Sequence, residues 1–337
     1  MGHEDRDNLG PEWLAYRFDE ATDTIRFVDY DRETRGSAPF LAVNHLPERP
    51  YRAEPRERAK RLAPATAPIQ FVFHSGFCCS TLFTRCFDQP GLATGFSEPN
   101  ILNDVVGWRK RGALPAEVGR ALSDAISLLA RPFGGDQLSV VKPSTIANGL
   151  AAAMLKLRPE ASAVLMYAPL EDHLLSLAKK GFDGRLWGRE LFMAMRREQL
   201  LDRLGLTDTD FLGLMDLQIA ACAWLGQQCL FSDLIEKYPG RVRSLSSDAF
   251  LARPKEALEG AAGLFQLALT SEQVSAVAGT VLTRNSKDGT AFGASARDDE
   301  YRAARSVYGD EVGKVAEWAA LVGEAAGIAT DLPHPLT

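Results

Sequence analysis

The segment 69–102, IQFVFHSGFCCSTLFTRCFDQPGLATGFSEPNIL, constrains the fold more than any other part of the sequence. It predicts a buried apolar strand over 69–73, a tight loop over 74–79 and a helix that begins at Ser80 and Thr81. In this arrangement the N–H groups of the loop and the positive end of the helix dipole converge on one point. The segment therefore predicts a site for an anion of the phosphate type.

Two charged residues are expected at strand ends. The pair Glu98-Pro99 follows at the distance expected of the next strand end, and Lys142 ends a strand in the sequence VVKPST. In a parallel sheet such ends lie where ligands bind. We therefore expect a phosphate-type cradle and a carboxylate to share one cleft, with Lys142 as a candidate cation for it.

The rest of the chain predicts an α/β protein with a central parallel sheet and helices on both sides. Short, apolar candidate strands alternate with helical patterns. The candidate strands are 69–73, 138–141, 163–167 and 242–246. One helix is marked by Val118, Leu122, Ala125 and Leu129, and another by Ile146, Leu150, Ala153 and Leu157.

The prediction divides the chain into an N-terminal β-rich extension over 1–67 and a main α/β domain over 68–337. Within the extension a hairpin is predicted from 13–18 and 24–30, followed by a proline-rich surface connector over 47–64. In the main domain, 185–238 is predicted to be mostly helical. The polar stretch 283–299 is predicted to be a mobile loop or lid, followed by a long helix over 301–326.

Composition excludes several classes of function. The chain has 337 residues and a net charge of −6 without long runs of one sign, which argues against a nucleic-acid binder. No apolar stretch reaches the length that spans a bilayer, and the polar, acidic start is not a secretory signal. Five cysteines without a paired metal motif predict reduced thiols in the cytoplasm and no metal. We expect no membrane partner, and the chain is a candidate homodimer.

The segment FVFHSGFCCSTLFTRCF resembles the donor loop of the P-loop sulfotransferases, which use 3′-phosphoadenosine 5′-phosphosulfate (PAPS). In that family a strand leads to a loop ending Lys/Arg-Ser-Gly-Thr-Thr, and Ser80 and Thr81 match the closing hydroxyl pair. Two positions depart from the pattern, because Phe77 stands in place of the cation and Cys79 in place of the glycine. The resemblance implies a donor site at the following residues: His74, Ser75, Gly76, Phe77, Cys78, Cys79, Ser80 and Thr81.

Later segments continue the resemblance in the right order. ASAVLMYAPLEDHLLSLAKKG resembles the strand and helix that bind the 3′-phosphate, with Ser176 at the serine position and Ala168 in place of the arginine. VRSLSSDAFLARPKEALEGAAGLFQLALTSEQV resembles a structural block of the family. Arg284 and Lys287 lie where the family has a basic loop that closes on the nucleotide.

The resemblance implies a P-loop-type fold and a transfer of the sulfuryl group from PAPS to a small-molecule hydroxyl acceptor. Some bacterial members carry a catalytic glutamate in a Glu-Pro context after the first helix, which Glu98 resembles. Glu98 would accept the proton of the acceptor hydroxyl. Lys142 would supply the positive charge that Phe77 lacks. Glu98 and Lys142 are both predicted to be catalytic.

Two alternatives stay open. Because Phe77 and Ala168 remove two cationic contacts at once, the chain could be a degenerate nucleotide- or anion-binding protein on the same fold. Cys79 and Arg85 also fit the Cys-x5-Arg spacing of cysteine-dependent phosphatases, in which a thiolate attacks phosphorus. The interval Ser-Thr-Leu-Phe-Thr lacks the glycine that such a loop requires and is typical of a helix.

Overall fold

A computed structural model of the protein describes residues 8–281 and 294–337, with the side chains of 294–298 left undescribed. These residues form two sheets. A three-stranded antiparallel sheet, in the order β1-β2-β3, consists of β1 (Trp13–Asp19), β2 (Thr24–Asp29) and β3 (Tyr51–Pro55). A five-stranded parallel sheet, in the order β5-β6-β4-β7-β8, consists of β4 (Ile69–His74), β5 (Ala93–Ser97), β6 (Leu138–Lys142), β7 (Ala163–Tyr167) and β8 (Val242–Ser246).

Fourteen helices are assigned in the described part of the chain. They are α1 (Arg32–Ser37), α2 (Arg56–Leu62), α3 (Ser80–Phe87), α4 (Asn100–Lys110), α5 (Pro115–Leu129), α6 (Ala151–Leu157), α7 (Leu170–Ala178), α8 (Gly181–Arg197), α9 (Asp208–Leu212), α10 (Asp216–Lys237), α11 (Ser247–Ala252), α12 (Pro254–Phe265), α13 (Ser271–Thr280) and α14 (Ala294–Ala325). The described residues also form two short 3₁₀ segments, Thr145–Leu150 and Asp202–Leu204.

The predicted fold class is confirmed. All residues of β4, β6 and β7 are buried, as expected of strands covered by helices on both faces. Because β4 is the central strand, the loop that follows it leaves from the middle of the sheet's carboxyl edge. Parallel sheets commonly bind ligands at this edge.

The chain divides into two compact units, which are described separately below. One unit takes in the described residues of 1–73, 81–163 and 261–290, and the other takes in those of 74–80, 164–260 and 291–337. The predicted division at residue 67 stays a prediction.

Three predicted elements differ from the structure. The predicted surface connector over 47–64 is wrong, because it contains β3 and α2, and β3 pairs with β2. The last helix begins at Ala294, earlier than predicted, so part of the predicted loop is helical. The predicted helix from Ile146 begins as a 3₁₀ segment and becomes α-helical only at Ala151.

No helix in the described part of the chain is long and apolar enough to cross a membrane.

Candidate functional site

The loop between β4 and α3 has an unusual backbone. Gly76, Phe77 and Cys79 have positive φ angles of 86°, 55° and 61°, whereas Cys78 between them does not. Alternation between left-handed and right-handed residues turns successive N–H groups toward the same side of the chain, which forms a concave anion-binding nest. The helix α3 begins immediately afterwards, at Ser80. The loop therefore has the backbone shape of an anion cradle.

Two side chains in this loop occupy a conformation that favours glycine. Phe77 and Cys79 both carry a Cβ in the left-handed region, which costs on the order of 1–2 kcal/mol for each residue. Such conformations persist where the surrounding structure enforces them, and they are concentrated at binding sites. Cys79, which stands where the resembling motif has glycine, thus has a φ angle in the region that favours glycine.

Hydrogen bonds tie the start of the loop to the end of β7 and to α10. Ser75 N–H donates to the Met166 carbonyl at 2.9 Å, and the Ser75 hydroxyl accepts from Ala168 N–H at 3.2 Å. Gln227 Nε2 donates to the Ser75 carbonyl at 3.4 Å, and the Trp224 indole donates to the Ala168 carbonyl at 3.0 Å. Ala168, which replaces the expected arginine, thereby holds the loop through its backbone.

His74 acts within the loop itself. It is 5% exposed, and its Nδ1 accepts from the Gly76 N–H at 3.2 Å. This bond leaves Nε2 to carry the proton of a neutral ring. His74 therefore helps to set the backbone at Gly76.

The ring of Phe77 occupies the position of the expected cation. It packs edge-on against His173 and Trp187, with centroid distances of 5.6 and 5.0 Å. The ammonium of Lys180 lies 5.9 Å from the same ring. Phe77 thus belongs to an aromatic cluster with a positive charge beside it.

His173 is a loop neighbour that sequence reasoning weighed and left out of the predicted site. It is fully buried, and neither ring nitrogen has a hydrogen-bond partner among the described residues. Burial lowers the pKa of His173 to about 4, and the nearby Gly76 backbone opposes this shift only in part. The imidazole is therefore neutral at physiological pH. Its position after Pro169 in α7, facing the loop, had no distinct signal in the sequence.

Cys79 is the most accessible of the five cysteines, all of which are described. It is partly exposed, whereas the other four are buried. Cys78 donates through its thiol to the Met166 carbonyl at 3.5 Å. Burial raises the pKa of Cys222 to about 12 and also raises the pKa of Cys86 and Cys229. Among these thiols, Cys79 is the best placed to report on ligands of the loop.

Ser80 and Thr81 are the first two residues of α3, as predicted, and both are buried. Ser176 lies on α7 and is 2% exposed, with its hydroxyl oxygen 2.7 Å from the Tyr301 hydroxyl of α14. Arg284 and Lys287 lie outside the described residues.

A cavity of about 910 Å³ lies beside Tyr301 in the same unit as the loop. Its charged lining is mainly acidic, with Arg305 as the single basic residue among the described ones. The acidic lining residues are Glu171, Asp172, Asp248 and Glu317. Arg305 is paired with Asp172 at 3.1 Å, so the cavity surface has an excess of negative charge.

Glu98 and Lys142 form an ion pair in the other unit. The Lys142 ammonium lies 2.6 Å from Glu98 Oε1, and the Glu98 N–H donates to the Lys142 carbonyl at 2.6 Å. The Lys142 side chain is fully buried, whereas Glu98 is 21% exposed and has a positive φ of 53°. Ser97 at the end of β5 lies opposite Lys142 at the end of β6. This register brings the charges of Glu98 and Lys142 together. Sequence analysis placed both residues at strand ends but did not predict this pair.

Arg85 is placed differently from the arginine of a Cys-x5-Arg phosphatase. The five residues between Cys79 and Arg85 belong to α3, and the Arg85 guanidinium donates to the Ala38 carbonyl at 3.0 Å. A phosphatase of this class needs that arginine wrapped around the cysteine loop. The helix thus argues against the phosphatase hypothesis. It leaves the transfer of a sulfuryl group and the binding of a nucleotide or anion without transfer.

Among residues 8–281 and 294–337, no three His, Cys, Asp or Glu side chains are grouped closely enough to hold a metal ion.

Comparison with known proteins gives matches to solved structures only. No family model and no curated protein matches the chain. The solved structures include a sulfotransferase domain from the curacin biosynthetic pathway, with 11% identity, a TM-score of 0.39, and coverage of 72% of this chain and 97% of that domain. They also include the sulfotransferase STF9 from Mycobacterium avium, with 12% identity, a TM-score of 0.41, and coverage of 75% and 77%.

Proposed function

We propose that this protein transfers the sulfuryl group of PAPS to the hydroxyl group of a small-molecule acceptor. The observation that carries the proposal is the backbone of residues 76–79, with positive φ at Gly76, Phe77 and Cys79 and a helix beginning at Ser80. Backbone of this kind at the start of a helix is typical of loops that bind phosphate-like anions, which supports a phosphosulfate as the ligand. The order of the sequence motifs adds the sulfotransferase character.

In the proposed reaction the acceptor oxygen attacks sulfur in line with the bridging oxygen. The bond between sulfur and that bridging oxygen breaks, and 3′-phosphoadenosine 5′-phosphate leaves. The loop N–H groups and the hydroxyls of Ser80 and Thr81 stabilise the charge that develops on the phosphosulfate. The acceptor oxygen loses its proton in this step, and the sequence resemblance assigns that proton to Glu98, whose carboxylate lies 2.6 Å from the Lys142 ammonium within its own unit.

The donor site of this proposal includes Ser176 and, outside the described residues, Arg284 and Lys287. Ser176 would exchange its hydrogen bond with Tyr301 for one to the 3′-phosphate, because a hydroxyl can reorient at little cost. PAPS is the only co-substrate of the proposal.

A thermal-shift titration with 3′-phosphoadenosine 5′-phosphate tests donor binding. At a hundredfold excess over its dissociation constant a ligand adds about 2.7 kcal/mol, which corresponds to a rise in Tm of at least about 3 °C. Thr81→Val should reduce this rise, because it removes a hydroxyl at the start of α3 without changing its size. Thr84→Val is the matched control, since Thr84 is also buried and lies one turn further along α3. No stabilisation of the unmodified protein at millimolar nucleotide would contradict the proposal.

A second candidate function is binding of the nucleotide or another anion without group transfer. Phe77 favours it, because an aromatic ring packed against His173 and Trp187 occupies the position of the expected cation. The two functions separate in a transfer assay with sulfur-labelled PAPS and Phe77→Lys. For an enzyme, the unmodified protein releases 3′-phosphoadenosine 5′-phosphate in the presence of hydroxyl acceptors. A binding protein shows release only after Phe77→Lys or not at all.

A further inference from the structure

Arg35, in α1, is a buried cation with unused hydrogen-bonding capacity. It is 4% exposed, and its Nη2 donates to the carbonyls of Pro11 and Glu12 at 2.6 and 2.8 Å. Its Nε and Nη1 atoms have no hydrogen-bond partner among the described residues. The guanidinium carbon also lies 4.7 Å from the centroid of the Phe133 ring. Buried N–H groups without a partner are costly unless something binds them.

The charges around Arg35 do not neutralise it. The nearby Asp88 is paired with Arg32 at 2.8 Å, and Arg32 also bonds Asp136. Burial, together with the positive charge of Arg131, lowers the pKa of Arg35 to about 9. Glu12 and Asp88 oppose this shift but leave the pKa well below its ordinary value. Arg35 is therefore a buried guanidinium without a carboxylate hydrogen-bonded to it among the described residues.

Arg35 lines a small recess that opens beside a larger cleft of the same unit. The recess has a volume of about 10 Å³, enough for one oxygen atom or one water, and Arg85 lines it with Arg35. Gly36, Arg85 and Asp88 are shared with a neighbouring cleft of about 440 Å³. Burial also lowers the pKa of Arg85. Two arginines thus share a recess at one end of a cleft large enough for a small molecule.

We propose that this recess and cleft bind a small organic oxyanion, with one oxygen of its carboxylate or phosphate group between Arg35 and Arg85. The rest of the ligand lies in the cleft, against Leu82, Gln89 and Val281. The guanidinium fork matches a carboxylate or phosphate better than it matches a single-atom anion. The bound oxygen supplies the partner that Arg35 Nε and Nη1 lack. None of these residues belongs to the loop of residues 74–81, so this site and the proposed donor site share no residue.

Gly36 provides a way to block the cleft without disturbing the fold. A Cβ placed at Gly36 meets no described atom within 4 Å, although Gly36 lines both the recess and the cleft. Gly36→Leu should therefore fill the entrance while α1 keeps its backbone. Gly119→Leu is the matched control, because Gly119 lies in α5 with the same open surroundings and lines neither cavity.

The experiment is isothermal titration calorimetry of the unmodified protein with sodium phosphate and, separately, with sodium acetate, at ionic strength matched with chloride. We expect at least one probe to bind. Arg85→Gln should weaken binding by about tenfold or more, because a hydrogen bond to a charged group contributes about 1.5–3 kcal/mol. Gly36→Leu should abolish binding, and Gly119→Leu should leave it unchanged. Binding of acetate alone identifies a carboxylate ligand, and binding of phosphate alone identifies a phosphate ligand.

Phosphate could also enter the loop of residues 74–81, and Thr81→Val separates the two sites. Binding at the cleft survives Thr81→Val and is lost in Gly36→Leu. The proposal is overturned if neither probe binds, or if binding is lost in Thr81→Val and kept in both Gly36→Leu and Arg85→Gln. Failure of 3′-phosphoadenosine 5′-phosphate to bind would contradict the proposed function and leave this inference standing.

Discussion

Single residues in the β4–α3 loop carry backbone strain that can be measured. Cys79 has a φ of 61°, so Cys79→Gly should relieve the clash of its Cβ and stabilise the fold by up to about 1 kcal/mol. Cys79→Ala is the control, because it removes the thiol and keeps the strain. Urea denaturation measures both free energies of unfolding. If Cys79→Gly is less stable than Cys79→Ala, the left-handed conformation of residue 79 is contradicted.

His173 makes the stability of the fold depend on pH. Burial holds its pKa at about 4 in the folded state, against an ordinary value of 6.5. The unfolded chain therefore binds the proton first as the pH falls, and the free energy of unfolding decreases between pH 6.5 and pH 4. The loss amounts to about 3 kcal/mol across this window and is absent above it.

Chemical denaturation at a series of pH values checks this prediction. His173→Gln should be less pH-dependent between pH 6.5 and pH 4, because glutamine does not titrate. An unchanged slope in the variant would show that other groups cause the acid sensitivity.

At the scale of elements, the ends of β5 and β6 are joined by one ion pair. Removing either partner leaves an uncompensated charge, since the Lys142 side chain is fully buried and Glu98 is 21% exposed. A double-mutant cycle with Lys142→Met and Glu98→Gln should give a coupling energy of about 2 kcal/mol. The Lys60 ammonium and Glu57 Oε1 lie 3.0 Å apart, and both side chains are more exposed than Lys142 and Glu98. This pair should therefore couple by less than about 0.5 kcal/mol. Equal coupling in the two pairs would contradict the importance of burial.

The elements of the main sheet were largely predictable, because buried parallel strands appear as short apolar runs. The strands β4, β6, β7 and β8 were predicted within one residue of their observed bounds. The strand β5, ATGFS, was expected only as a strand end before Glu98, and its bounds were not predicted because Gly95 and two hydroxyl residues interrupt its apolar pattern. The strand β3, YRAEP, was missed because it is short, charged and mostly exposed, and its pairing with β2 stabilises it.

The candidate site was predictable only in part. The loop and the positions of Glu98 and Lys142 at strand ends follow from local sequence. Their ion pair depends on the register between β5 and β6, which local sequence does not specify. The positive φ of Phe77 was also not predictable, because a bulky side chain argues against that conformation.

At the scale of the whole molecule, the proposed function depends on the β4–α3 loop being the donor site. The most direct test is the rate at which iodoacetamide modifies Cys79, followed by mass spectrometry. Cys79 is the only partly exposed thiol of the five, so it should react first. Saturating 3′-phosphoadenosine 5′-phosphate should slow this reaction by about tenfold or more. At a concentration well above its dissociation constant, the nucleotide covers the loop in most molecules. A rate that stays the same at saturating nucleotide would contradict the assignment of this loop as the donor site.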